Sequence, residues 1–165
     1  YVADTDNNLI RVIDAKSGEV TTLTLTNAGA ISGSAGVKAT RISLPPQTVA
    51  PGTANLRISV NAPASYQLDS QAPSQLQLMS ANSNVVQLGE SSVHWATDET
   101  SVSLPVPVTL QPGQTSISAQ ASIYYCREGE QALCFIGQFD FTIPVTVQAG
   151  AEASEVTLDY TLPRT

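Results

Sequence analysis

The 165 residues carry seven Lys and Arg against fourteen Asp and Glu, for a net charge of −7, and only 13% are charged while 42% are hydrophobic. Phosphate contact needs several cations on one face, but Arg11, Lys16, Lys38, Arg41, Arg57, Arg127 and Arg164 stand singly, so nucleic acid is disfavoured as a partner, as is an anionic membrane surface. No apolar run approaches the roughly 20 residues of a membrane span, and no membrane insertion is expected.

The size allows a core that buries about two-thirds of the unfolded surface without staples. Ser, Thr, Gln and Val stand where Glu and Lys would cover helices, a mixture that suits strands and turns. The chain opens at Tyr1 with no initiator Met and no signal peptide, and we read it as an excised fragment or processed product.

Residues 1–25 read as strand, turn, strand. Leu9-Ile10-Arg11-Val12-Ile13 is one apolar run. Asp14-Ala15-Lys16-Ser17-Gly18 is a turn with Gly placed for positive φ, and Val20-Thr21-Thr22-Leu23-Thr24-Leu25 alternates. Such a hairpin is marginal alone and needs a neighbour. Asp4, Asp6 and Asn8 mimic the first half of a calcium-binding loop. Leu9, however, stands where Gly is needed and Ala15 where a bidentate Glu is needed. Asx side chains bonding their own backbone before a strand are the simpler reading. The run from Tyr1 to Asp14, Tyr-Val-Ala-Asp-Thr-Asp-Asn-Asn-Leu-Ile-Arg-Val-Ile-Asp, closely resembles an NHL repeat. That resemblance implies that 1–27 is the remnant of one β-propeller blade.

Residues 28–40 are small and Gly-rich, the best linker in the chain. Beyond it, strand patterns recur at 41–44, 55–61, 75–80, 84–88, 101–110, 115–127, 133–147 and 155–162. Pro51-Gly52 and Pro112-Gly113 punctuate them as turns. No stretch sustains a 3.6-residue period. The fold class expected is therefore all-β, a sandwich or barrel. Pro105, Pro107 and Pro144 fall inside strand patterns and mark edges or bulges, because proline cannot donate to a ladder.

Few residues carry chemistry. His94 is the single histidine, and a base needs a nucleophile and an orienting group. Gly89-Glu90-Ser91-Ser92-Val93 ends in Val where a nucleophile elbow needs Gly. One His and two Cys, with no acidic partner at a known spacing, make no metal cluster, and no phosphate-binding loop occurs. Asp98-Glu99, Glu128 and Glu130 lie in hydrophilic, turn-like segments. No cofactor is implied. What remains is Cys126 and Cys134, flanking the polar, Gly-containing loop 127–133. Flanking positions of a hairpin face each other at about 4.5–5.5 Å between Cα atoms, within disulfide reach. A structural disulfide, a redox pair and two free buried thiols all remain open.

Val102-Ser103-Leu104-Pro105-Val106, the strand through Tyr124-Tyr125-Cys126, then Cys134 and Ile143-Pro144-Val145, resemble the amino-terminal domain of the DsbD family of thiol–disulfide interchange proteins. The resemblance implies an immunoglobulin-like sandwich over 41–165, with Cys126 and Cys134 as its redox pair on adjacent strands. It also implies a cap loop, which by order along the chain would fall near 88–95. A second set of residues is similar to the terminal β-domain of thioredoxin-like proteins with NHL repeats. These are Ala62-Pro63-Ala64-Ser65-Tyr66-Gln67-Leu68, Ala72-Pro73-Ser74 and Tyr124-Tyr125-Cys126. This implies an accessory domain whose partner is a thioredoxin-like domain of the same polypeptide, or another protein, and which takes part in thiol–disulfide exchange. It would be a component of an oxidoreductase rather than an enzyme by itself. The alternative is a non-catalytic binding or structural module with a stapled hairpin. The compartment stays open between cytoplasm and periplasm.

Overall fold

A computed structural model describes residues 1–4, 9–23, 39–129 and 133–164. Two units emerge, Tyr1–Val37 and Lys38–Thr165. The expected linker at 28–40 lies outside the described residues except for Ala39 and Thr40, and Thr40 already belongs to a strand.

The first unit is an antiparallel meander of β1 (Val2–Asp4), β2 (Leu9–Ile13) and β3 (Val20–Thr22). Its second turn forms as the residues require. Asp14 carboxylate Oδ1 accepts from the backbone N–H groups of Lys16 and Ser17, each at 2.8 Å. The Gly18 N–H returns to the Asp14 carbonyl at 2.9 Å, with Gly18 at φ 74°. β1 adds a strand the sequence reading lacks. Thr5, Asp6, Asn7 and Asn8, the middle of the calcium-like run, lie outside the described residues.

The second unit holds eleven described strands: β4 (Thr40–Ser43), β5 (Gln47–Val49), β6 (Gly52–Asn61), β7 (Tyr66–Leu68), β8 (Ser74–Ser80), β9 (Val86–Leu88), β10 (Ser92–Trp95), β11 (Ser101–Leu110), β12 (Gly113–Arg127), β13 (Cys134–Val147) and β14 (Val156–Thr161). They make two sheets. One runs β10-β8-β12-β13-β4, with β5 continuing along β13 and β7 along β12. The other runs β14-β6-β11-β9. The described residues contain no helix, so the all-β class holds.

The alternation read from the sequence is what closes the two sheets on each other. In β12, Ile117, Ala119, Ala121, Ile123 and Tyr125 are buried, and in β13 so are Phe139, Phe141, Ile143, Val145 and Val147. Leu56, Ile58 and Val60 of β6, with Val156 and Leu158 of β14, complete the same core from the other sheet. Tyr160 of β14 meets Phe139 and Phe141 with ring centroids 5.1 Å apart in each pair.

The three prolines behave as expected of edges. β9 covers β11 only at 108–110, so Pro105 faces an open edge, and Pro107 uses just its carbonyl, which accepts from Gly89 N–H at 2.8 Å. On β13, β4 pairs with 139–142 and β5 with 145–147, so Pro144 falls in the gap where the partner strand changes. Gly113 adopts φ 151° after Pro112, and a Cβ there would lie 2.7 Å from Val85 Cγ2.

The outer edge of β14 is closed by a side chain. Gln47 donates from Nε2 to the Thr157 carbonyl at 2.6 Å and accepts the Thr157 N–H on Oε1 at 2.8 Å. Its amide thus takes the place of a neighbouring strand's peptide. Arg57 of β6 pairs with Glu155, the residue just before β14.

Candidate functional site

Since the odd-numbered residues of both β12 and β13 point into the core, Cys126 and Cys134 point outward. The β12–β13 register puts them directly opposite each other, with Cα atoms 4.0 Å apart, and they are disulfide-bonded. Arg127 N–H donates to the Leu133 carbonyl at 2.9 Å. The next pair along is therefore the hydrogen-bonded one, and the cysteines occupy the close, non-hydrogen-bonded kind of position. This bond settles the hairpin geometry expected from the sequence, and neither thiol is free. Cys134 is exposed and Cys126 half-buried. The apolar side chains of Leu133 and Ile136, 53% and 51% exposed, flank Cys134 along the chain.

The opposite face of the hairpin end is packed with aromatic rings. Tyr125, Phe135 and Tyr66 form a triangle of rings with centroids 5.8, 5.9 and 6.1 Å apart, and the Tyr125 hydroxyl donates to the Pro163 carbonyl at 3.4 Å.

On its other side Cys126 is paired with Gln67 of β7, so it lies between Gln67 and Cys134. β8 pairs with β12 as far as Ser122, and β7 takes over at Tyr125. Tyr124 bridges this handover: its N–H donates to buried Ser74 Oγ at 3.0 Å, and its carbonyl accepts from Asp69 N–H at 3.1 Å. Asp69 is thereby fixed one step beyond β7. Its carboxylate accepts the Gln71 N–H at 2.8 Å and has an oxygen within 4.8 Å of both cysteine sulfurs. The turn feeding β7 is also special. Ser65 adopts φ 71°, and its carbonyl accepts the Glu128 N–H at 2.9 Å, tying this turn to the cysteine loop.

The segment beside the disulfide is thus 65–71. Of the expected cap at 88–95, residues 92–95 are strand β10, paired with β8. Gln67 and Asp69 were missed because they reach Cys126 only through sheet pairing. In sequence they fall between the strand patterns at 55–61 and 75–80, with no spacing to connect them to a distant cysteine.

His94 gains a partner but no catalytic group. It is exposed on β10; its Nε2 lies 2.9 Å from Ser92 Oγ, and that oxygen accepts from Gln77 Nε2 at 2.9 Å. Among the described residues no carboxylate hydrogen-bonds the ring, so the orienting member of a triad is missing. Asp98 and Glu99 sit in an exposed turn where Thr97 Oγ1 accepts the Glu99 N–H at 3.3 Å. Glu130 lies outside the described residues.

No protein-family model matches the chain, and no curated protein matches it.

Proposed function

We propose that the second unit is an immunoglobulin-like accessory domain of a thioredoxin/NHL-type protein, and that it exchanges disulfides through Cys126 and Cys134. The first unit, a three-stranded antiparallel meander, is then a blade fragment of the propeller. The observation that carries this reading is the placement of the disulfide: on the outer face of the β12–β13 hairpin, with Cys134 exposed. A reactive pair needs at least one reachable sulfur.

The chemistry follows from the exposure. A thiolate of a thioredoxin-class dithiol attacks Cys134 Sγ in line with the S–S bond, and Cys126 leaves as a thiolate. The second thiolate of the partner then attacks the partner's own sulfur in the mixed disulfide and expels Cys134 as a thiolate. Two electrons pass from the partner dithiol to the pair, and the partner ends as a disulfide. Leu133 and Ile136 offer apolar contact for the partner beside the attacked sulfur.

A staple is the second reading, and the non-hydrogen-bonded register favours it, since that position joins two cysteines without moving backbone. Reduction potential and exchange rate with reduced thioredoxin separate the two. Exchange within seconds and a potential above about −300 mV are expected. A potential well below that value with slow exchange overturns the proposal in favour of the staple.

A further inference from the structure

We infer that reduction converts this corner of the hairpin into a site for a thiophilic divalent cation such as Zn2+, held by Cys126, Cys134 and Asp69. The inference requires only that the disulfide be reducible, not that a thioredoxin-class partner exchange with it. The sequence shows no acidic residue at a ligand spacing from the cysteines. The fold supplies one, because β7 delivers Asp69 to the sheet position beside Tyr124, diagonal to Cys126. One carboxylate oxygen and both sulfurs already lie within 4.8 Å of one another.

The donor set selects the ion. Two thiolates and a carboxylate suit a borderline-soft metal and not Mg2+ or Ca2+, which take oxygen ligands alone. Tetrahedral bonds of about 2.3 Å to sulfur place the two sulfurs roughly 3.8 Å apart. Opposite side chains on one face of a sheet reach that separation by rotating about χ1 once the S–S bond is gone. The Gln71 N–H holds the Asp69 carboxylate at 2.8 Å, the kind of outer hydrogen bond that orients a metal ligand. Cys134 is exposed, so water can complete the fourth position.

The steps balance. A dithiol reduces the pair to two thiols and becomes a cyclic disulfide. The cation then displaces one proton from each thiol, so binding tightens as pH rises. A sulfur bonded to metal is not a free nucleophile. The cation would therefore withhold the reduced pair from exchange, and disulfide formation would expel it.

The test uses the full chain, reduced with a phosphine, freed of reductant under argon and titrated with Co2+, then with Zn2+ in competition. One Co2+ per reduced chain is expected, with a thiolate-to-cobalt charge-transfer band and tetrahedral d–d bands. The oxidised chain should give neither. Asp69→Asn should weaken binding about tenfold or more. Absence of the charge-transfer band in the reduced chain overturns the inference, as does equal binding by the oxidised chain or unchanged affinity in Asp69→Asn. Should Asp69→Asn fail to fold, the reduced and oxidised wild-type chains still decide. Exchange kinetics with thioredoxin, measured on the same preparations, separate failure of this site from failure of the exchange reading.

Discussion

Gly137 faces the core of β13 without a side chain because a ring already occupies that space. A Cβ there would lie 2.4 Å from Phe139 Cε2 and 2.7 Å from its Cζ, with Tyr125 Cε1 at 3.4 Å. The Phe139 ring cannot simply swing aside, since it packs against Phe141 and Tyr160. Gly137→Ala should therefore destabilise the domain by about 1–3 kcal/mol, the usual cost of overpacking, read as a lower urea midpoint. Tyr160, in the same cluster, has its phenol pushed above the ordinary value of 10.0 by burial. A raised folded value means that folding favours the neutral form. Its contribution is complete below pH 10 and is lost as pH rises through the folded value. The urea midpoint of Tyr160→Phe should accordingly fall less between pH 9 and 11 than that of the wild-type chain. At this scale the sequence reveals the cysteine pair, because a hairpin loop brings its own flanks together. It hides Asp69 and Gln67, whose closeness to Cys126 depends on which strand lies next to β12.

Among the elements, the long strands were legible, and so were the short β4 and β9, which fall in the patterns at 41–44 and 84–88. β11, β12 and β13 show enough alternating residues for period 2 to stand out. β5, β7 and β10, with three or four residues each, are too short to display a period and exist because longer strands offer them an edge. β5 is the clearest case. Pro45 and Pro46 interrupt the strand begun by β4, and the chain resumes along β13 past Pro144. The resumed strand then presents Gln47 to β14. Gln47→Ala removes both hydrogen bonds to the Thr157 backbone, and that from the Thr157 hydroxyl, and leaves an open strand edge. It should cost about 1–2 kcal/mol and raise the tendency of the domain to self-associate, which sedimentation velocity would detect. The double variant Cys126→Ser/Cys134→Ser opens a loop spanning eight residues. It should lower stability by about 2 kcal/mol while leaving the far-ultraviolet circular dichroism unchanged, because Tyr66, Tyr125 and Phe135 still hold the hairpin end from the inner side.

For the whole molecule, the composition, the recurring strand patterns and the lack of a 3.6-residue period predict the all-β class, and the structure bears that out. The parallel pairing of β14 with β6, and of β4 and β5 with β13, was not legible. Alternation tells which face of a strand is buried but says nothing of its neighbour or direction. The Gly-rich composition of 28–40 predicts that limited proteolysis releases a fragment beginning near residue 40. That fragment should keep the Cys126–Cys134 bond and unfold at the midpoint of the parent's second unit. Survival of the intact chain under conditions that digest an unfolded control would count against two independent units.

The outward side of β12 and β13 holds the disulfide, and the inward side holds the core. A pair used for the exchange proposed above would be reduced and reoxidised many times. If each cycle loosened the interior, the protein would be exposed to aggregation and degradation at every turn. Tyr125, on the other face of the same strand, is buried in the core and points away from the bond. Opening and closing that bond would therefore leave the packing of the interior in place.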